Sequence, residues 1–184
     1  EAEDMYDGRI ASCVSHDGGY TWTKIGIVDV PDRMKPGNFH EPHVTELSDG
    51  SLFGMIRVQG IDGFAHFTMY STRSTDGGKT WSMPEPTDVS GSPPHLLRHS
   101  SGALICTYGK RDGDVGERAM VSYDDGRTWS DDYIIDDNST NPDLGYPATV
   151  ELDDRSLLSV YYQRYADDIN TSILCTRWEL KEKE

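Results

Sequence analysis

Short apolar runs, each cut off by a tight polar turn, set the pattern of this chain. Leu52-Phe53-Gly54-Met55-Ile56, Leu104-Ile105-Cys106 and Leu157-Leu158-Ser159-Val160 each follow a polar turn, and each turn follows another alternating segment. Apolar stretches of this length, bounded by Gly, Asp and Ser, predict strands joined as hairpins. Val44–Leu52, Leu96–Leu104 and Thr149–Leu157 are three copies of one such unit. Aligned on Leu52, Leu104 and Leu157, they stand 52 and 53 residues apart.

A sharper repeat alternates with this one. Ser15-His16-Asp17-Gly18-Gly19-Tyr20-Thr21-Trp22 recurs as Ser74-Thr75-Asp76-Gly77-Gly78-Lys79-Thr80-Trp81 and again as Ser122-Tyr123-Asp124-Asp125-Gly126-Arg127-Thr128-Trp129. The shared pattern is S-x-D-x-G-x-T-W, with Asp17, Asp76 and Asp124 spaced by 59 and 48 residues. Each copy predicts a hairpin turn. Asp bonds nearby backbone, Gly supplies positive φ, and Thr-Trp begins the returning strand. Two hairpins per unit of about 50 residues make four antiparallel strands, the blade of a β-propeller. The expected organisation is a single partial propeller over 1–184, with the end of a preceding blade at 1–30 and blades at 39–83, 93–135 and 146–180. That is three to four blades, so the chain reads as part of a propeller that is truncated or closes by self-association over its open sheet edges.

Charge narrows the partners. Thirty-two acidic residues against seventeen basic ones give a net charge of −15. Nucleic acid is therefore not an expected partner, because phosphate contacts need clustered Lys and Arg. Membrane insertion is not expected either, as no apolar run approaches roughly 20 residues. No leader peptide is read before the first motif. Cys13, Cys106 and Cys175 are too few and too scattered for a disulfide framework, and are expected as buried small hydrophobes in strands. The acidic pairs Asp131-Asp132, Asp136-Asp137, Asp153-Asp154 and Asp167-Asp168 are read as solvated turns; no metal site and no cofactor is expected.

The strand directions put the connections between the repeated turns on one face, and there the repeats diverge, as a functional face should. Eleven residues before the aligned leucines stand Glu41, Pro93 and Tyr146; five after stand Arg57, Gly109 and Tyr162. Arg57 ends an otherwise apolar strand and needs a partner. His40, His43, His95, Lys110, Arg111, Arg118, Gln163 and Arg164 are the other polar candidates, with His43 and His95 at equivalent positions.

The S-x-D-x-G-x-T-W turns resemble the Asp-boxes, or BNR repeats, of the sialidase (neuraminidase) superfamily. Phe39-His40-Glu41-Pro42-His43, running on to Met55-Ile56-Arg57, is similar to that family's segment with a catalytic Glu and a triad Arg. Gly145-Tyr146-Pro147-Ala148-Thr149, ending near Tyr161-Tyr162-Gln163, is similar to the segment with its catalytic Tyr. The resemblance covers nearly the whole chain and corresponds to the C-terminal half of a six-bladed enzyme. It implies a retaining glycoside hydrolase of exo-α-sialidase type acting on terminal, anionic sugars of glycans. Tyr146 is then the nucleophile, Glu41 its base, and Arg57 a carboxylate clamp. Arg118 and Arg111 compete for the third triad position, and His43 and His95 line the pocket. The family's acid and first Arg belong to the N-terminal half of its pattern. Secretion or a periplasmic location is also implied. A non-catalytic carbohydrate-binding Asp-box propeller and a protein-docking scaffold are the alternatives, because Asp-boxes also occur in such proteins.

Overall fold

The computed structural model describes residues 8–60, 67–130, 133–165 and 168–181. By backbone proximity the chain divides into two units, 1–89 and 90–184. The acidic residues Asp131, Asp132 and Asp167 lie outside the described residues.

In the first unit β1 (Ala11–Val14) and β2 (Thr23–Ile27) form an antiparallel hairpin around the first Asp-box. A 3-10 turn at Pro36–Asn38 leads into a four-stranded sheet. Its strands are β3 (Phe39–Glu46), β4 (Leu52–Gln59), β5 (Phe67–Ser74) and β6 (Glu85–Ser90), neighbours in chain order. Val28, Phe39, Ile56, Val58 and Tyr70 form the core, and the rings of Phe39 and Tyr70 meet edge to face at 5.9 Å. An edge-on ring pair of this kind adds about 1 kcal/mol beyond the area it buries.

The second unit repeats the plan. Strands β7 (His95–Arg98), β8 (Leu104–Lys110), β9 (Gly116–Ser122) and β10 (Tyr133–Asp136) form a four-stranded sheet in chain order. The strands β11 (Gly145–Glu151), β12 (Leu157–Gln163) and β13 (Ser172–Trp178) form a three-stranded one. Central strands β8 and β9 are buried on both faces, with Gly116 through Ser122 buried at every residue. Ile105, Val121, Leu157 and Tyr161 belong to one core cluster. Four antiparallel strands joined hairpin by hairpin are propeller blades, and the chain is all-β. No helix among the described residues is long and apolar enough to cross a membrane.

All three Asp-boxes close by the same bonds. Gly19, Gly78 and Gly126 donate their backbone N–H to the hydroxyls of Ser15, Ser74 and Ser122 at 2.8, 2.9 and 2.8 Å. One carboxylate oxygen of Asp17, Asp76 and Asp124 accepts the N–H of Thr21, Thr80 and Thr128. The other accepts that threonine's hydroxyl at 2.6, 2.7 and 2.6 Å. Charge-assisted bonds from Thr21 hold the Asp17 carboxyl at about 2, and those from Thr80 do the same for Asp76. Left-handed backbone at Gly18 and Gly77 is matched in the third box by Asp125, φ 59°.

Two expectations need correction. Thr-Trp does not begin the returning strand: Thr80 is tied to the Asp76 carboxylate and the Trp81 indole donates to Gly78, so both belong to the turn. Pairing resumes only where Ser82 donates to Arg73 and Ser130 to Val121. Of the cysteines only Cys106 is buried; strand alternation turns Cys13 and Cys175 outward.

Candidate active site

Glu41 and Tyr146 are each the product of a β-bulge. In the first unit His40 pairs with Arg57 and His43 with Met55, so three steps on β3 oppose two on β4. In the second, Gly145 pairs with Tyr162 and Ala148 with Val160, the same three against two. The extra residue is left-handed in both, with Glu41 at φ 45° and Tyr146 at φ 53°. Each precedes a proline, a position where sterics favour extended backbone. A non-glycine residue held left-handed there costs on the order of 1–3 kcal/mol, and such strain collects at functional sites.

Arg57 reaches across from β4 to Glu41. Its Nη1 donates to Glu41 Oε2 at 2.8 Å, while Nε and Nη2 donate to Gln59 Oε1 at 3.1 and 2.6 Å. The guanidinium also lies over the Phe67 ring, 4.6 Å from its centroid. A planar fork held on three sides fixes the direction of the Glu41 carboxylate, which stays 36 % exposed against 12 % for Arg57. His43 lines an apolar cavity of about 360 Å³ between the β1–β2 hairpin and the adjacent sheet, with Val28, Ile56 and Trp81. Burial there pushes its imidazole below the usual histidine range, toward the neutral form.

In the second unit two glycines bring the chemistry together. A Cβ on Gly109 would stand 2.8 Å from the Cα of Gly145, so β8 and β11 touch backbone to backbone. Arg111 follows two residues after the first glycine and Tyr146 one after the second. The Arg111 guanidinium accordingly lies over the Tyr146 ring, 5.9 Å from its centroid. Tyr162 stacks obliquely on Tyr146 at 5.9 Å and donates its hydroxyl to Asp143 at 2.8 Å. Burial and that carboxylate raise the Tyr162 phenol, with Arg111 opposing them.

Arg118, the competing guanidinium, is buried and gives its donors to main-chain carbonyls of Asp114, Glu117 and Asp136. His95 accepts the Thr149 N–H at 3.4 Å beside a buried hydroxyl chain of Thr107, Thr149 and Ser159. Arg164 is spent on the carbonyls of Asp168 and Ile169. Sequence reasoning missed Glu117, fully buried next to Arg118, whose carboxyl burial raises to about 8. An acidic residue near the start of a strand that runs on through Ala119-Met120-Val121 was the available signal. Among the described residues no cluster of three His, Cys, Asp or Glu side chains could hold a metal ion.

The model of the BNR repeat-like domain family matches residues 5–160. A sialidase from Clostridium perfringens is 30% identical over 115 residues, which cover 50% of this chain and 30% of that protein. Among solved structures, a protein of unknown function from Dyadobacter fermentans superposes with a TM-score of 0.80 at 27% identity, over 92% of this chain and 45% of its own. The NanB sialidase of Streptococcus pneumoniae gives 0.71 at 23% identity, over 95% and 28% of the two chains. An α-L-arabinanase from Penicillium chrysogenum gives 0.66 at 20% identity, over 92% and 54%. The chain thus spans less than half the length of the first two relatives. With its three Asp-boxes, its propeller blades and a family match over most of its length, this chain belongs to the BNR repeat-like family of the sialidase superfamily.

Proposed function

We propose that this chain carries the nucleophile, base and two guanidinium groups of a retaining glycoside hydrolase of exo-α-sialidase type. The observation that carries the reading is the shared bulge, which holds Glu41 and Tyr146 in one strained conformation at matching positions. The relatives' names, sialidase above all, supply the reaction class.

The chemistry follows from the substrate's charge. Sialic acid bears a carboxylate on its anomeric carbon, which repels an Asp or Glu nucleophile; a phenol approaches neutral, and sialidases depart from the two-carboxylate scheme in this way. On the sialidase pattern a carboxylate takes the phenolic proton as the tyrosine oxygen bonds to the anomeric carbon and the bond to the leaving oxygen breaks, the roles assigned here to Glu41 and Tyr146. Water then cleaves the glycosyl-tyrosine bond and the phenol regains its proton, with anomeric configuration retained. The acid that protonates the leaving oxygen belongs to the part of the family pattern this chain does not match. Arg57 orients Glu41, and a guanidinium takes the sugar carboxylate through charge-assisted hydrogen bonds, the role assigned here to Arg57 and Arg111. Arg111 is taken for this role because its guanidinium lies over the Tyr146 ring, whereas the Arg118 guanidinium is directed to main-chain carbonyls. His95 braces the strand of Tyr146 through the Thr149 N–H.

Hydrolysis of fluorogenic glycosides by the intact protein tests the reading. Release from an α-sialoside, with neutral pyranosides and arabinofuranosides left intact, is expected. Release from only a neutral sugar, or from none, would contradict it.

A further inference from the structure

Glu117, the second residue of β9, has its side chain fully buried, and neither carboxylate oxygen has a hydrogen-bond partner among the described residues. A buried acid without hydrogen bonds is costly when ionised. The charged groups around it come from several elements. Arg111 faces it from the β8–β9 connection, Arg118 from its own strand and Asp136 from β10. Tyr161 of β12 donates its hydroxyl to Asp136 at 2.7 Å. Arg118 is engaged by main-chain carbonyls, and Asp136 adds repulsion. Arg111 is the strongest attraction Glu117 feels, and burial outweighs it, leaving the carboxyl at about 8.

Glu117 pairs across the β8–β9 ladder with Gly109, the glycine that meets Gly145, and the Arg111 guanidinium lies over the Tyr146 ring with the Tyr162 hydroxyl as a hydrogen-bonding neighbour. Arg111 Nη2 also packs on Gly145, where a Cβ would lie 3.2 Å away. We propose that Glu117 is a positioning residue that sets, through its own proton, the charge Arg111 presents above Tyr146. This rests on the assignment of Arg111 to the sugar carboxylate. Protonated, Glu117 leaves the guanidinium charge available to an anionic ligand. Ionised, it draws that charge into a neutral internal pair, and the anion is released.

Two measurements on the intact protein test this. Carboxyl carbon NMR of Glu117 and nitrogen NMR of Arg111 Nε, followed together against pH, are expected to share one transition near 8. A Glu117 carboxyl titrating in the ordinary range, or an Arg111 signal indifferent to it, overturns the proposal whatever the protein binds. Calorimetric affinity for sialic acid is the second measurement. It is expected to fall by about tenfold per pH unit above the transition, as one linked proton requires. Glu117→Gln, with Glu117→Met as the apolar replacement, is expected to bind with a flat profile over the same range. Parallel profiles in wild type and variants overturn the proposal. If the two NMR signals move together but sialic acid binds at no pH, the Glu117–Arg111 linkage stands and the sialidase reading falls.

Discussion

Glu41 and Tyr146 occupy one backbone conformation, left-handed at the extra residue of a three-against-two bulge, each with a proline next in the chain. An unstrained strand would place neither side chain this way. Strand interiors ordinarily favour Val over Gly by a fraction of a kcal/mol to about 1. At residue 146 the order should invert: Tyr146→Gly is expected to be more stable than Tyr146→Val by about 1–2 kcal/mol, since a β-branched residue tolerates positive φ worst. Urea denaturation of the two variants checks this.

Gly145 is the second point of leverage. Its φ of 124° already excludes most side chains, and a Cβ would press on Arg111 Nη2 at 3.2 Å. Gly145→Ala should therefore push the guanidinium off the Tyr146 ring. Affinity for an anionic sugar is expected to drop by about tenfold, or roughly 1.4 kcal/mol, while a neutral sugar is affected little. Calorimetry with the two ligands separates these outcomes.

The Asp-boxes make the fold acid-sensitive with a definite sign. Asp17 and Asp76 are depressed from 3.8 to about 2, so their contribution is complete above the unfolded value and is lost as pH falls from about 4 through 2. Asp76→Asn should lower the melting temperature by a few degrees at neutral pH. The difference from wild type should close as the pH approaches 2. A difference that persists undiminished at pH 2 would show that the carboxylate charge contributes nothing.

What the sequence revealed follows from how local each device is. The Asp-box turns were legible because Ser74, Asp76 and Thr80 lie within seven residues and satisfy one another's bonds. The second repeat put Glu41 and Tyr146 at one distance from their leucines, yet spacing alone carries no backbone angle, so the bulges stayed hidden. The paired prolines, Pro42 and Pro147, were the trace they left. The placement of Arg111 over the Tyr146 ring depends on the contact of Gly109 with Gly145, which joins strands far apart in sequence. Glu117 was overlooked because an acidic residue near a loop usually faces water, whereas β9 is buried throughout.

The nucleophile is the point on which the functional account turns. Turnover of a fluorogenic sialoside and binding of sialic acid, measured side by side on the intact protein and Tyr146→Phe, decide it. Removal of the phenolic oxygen is expected to cut kcat by at least about a thousandfold, in the range seen when a covalent nucleophile is deleted, with the dissociation constant changed by less than a few fold. Undiminished turnover in Tyr146→Phe would contradict the account.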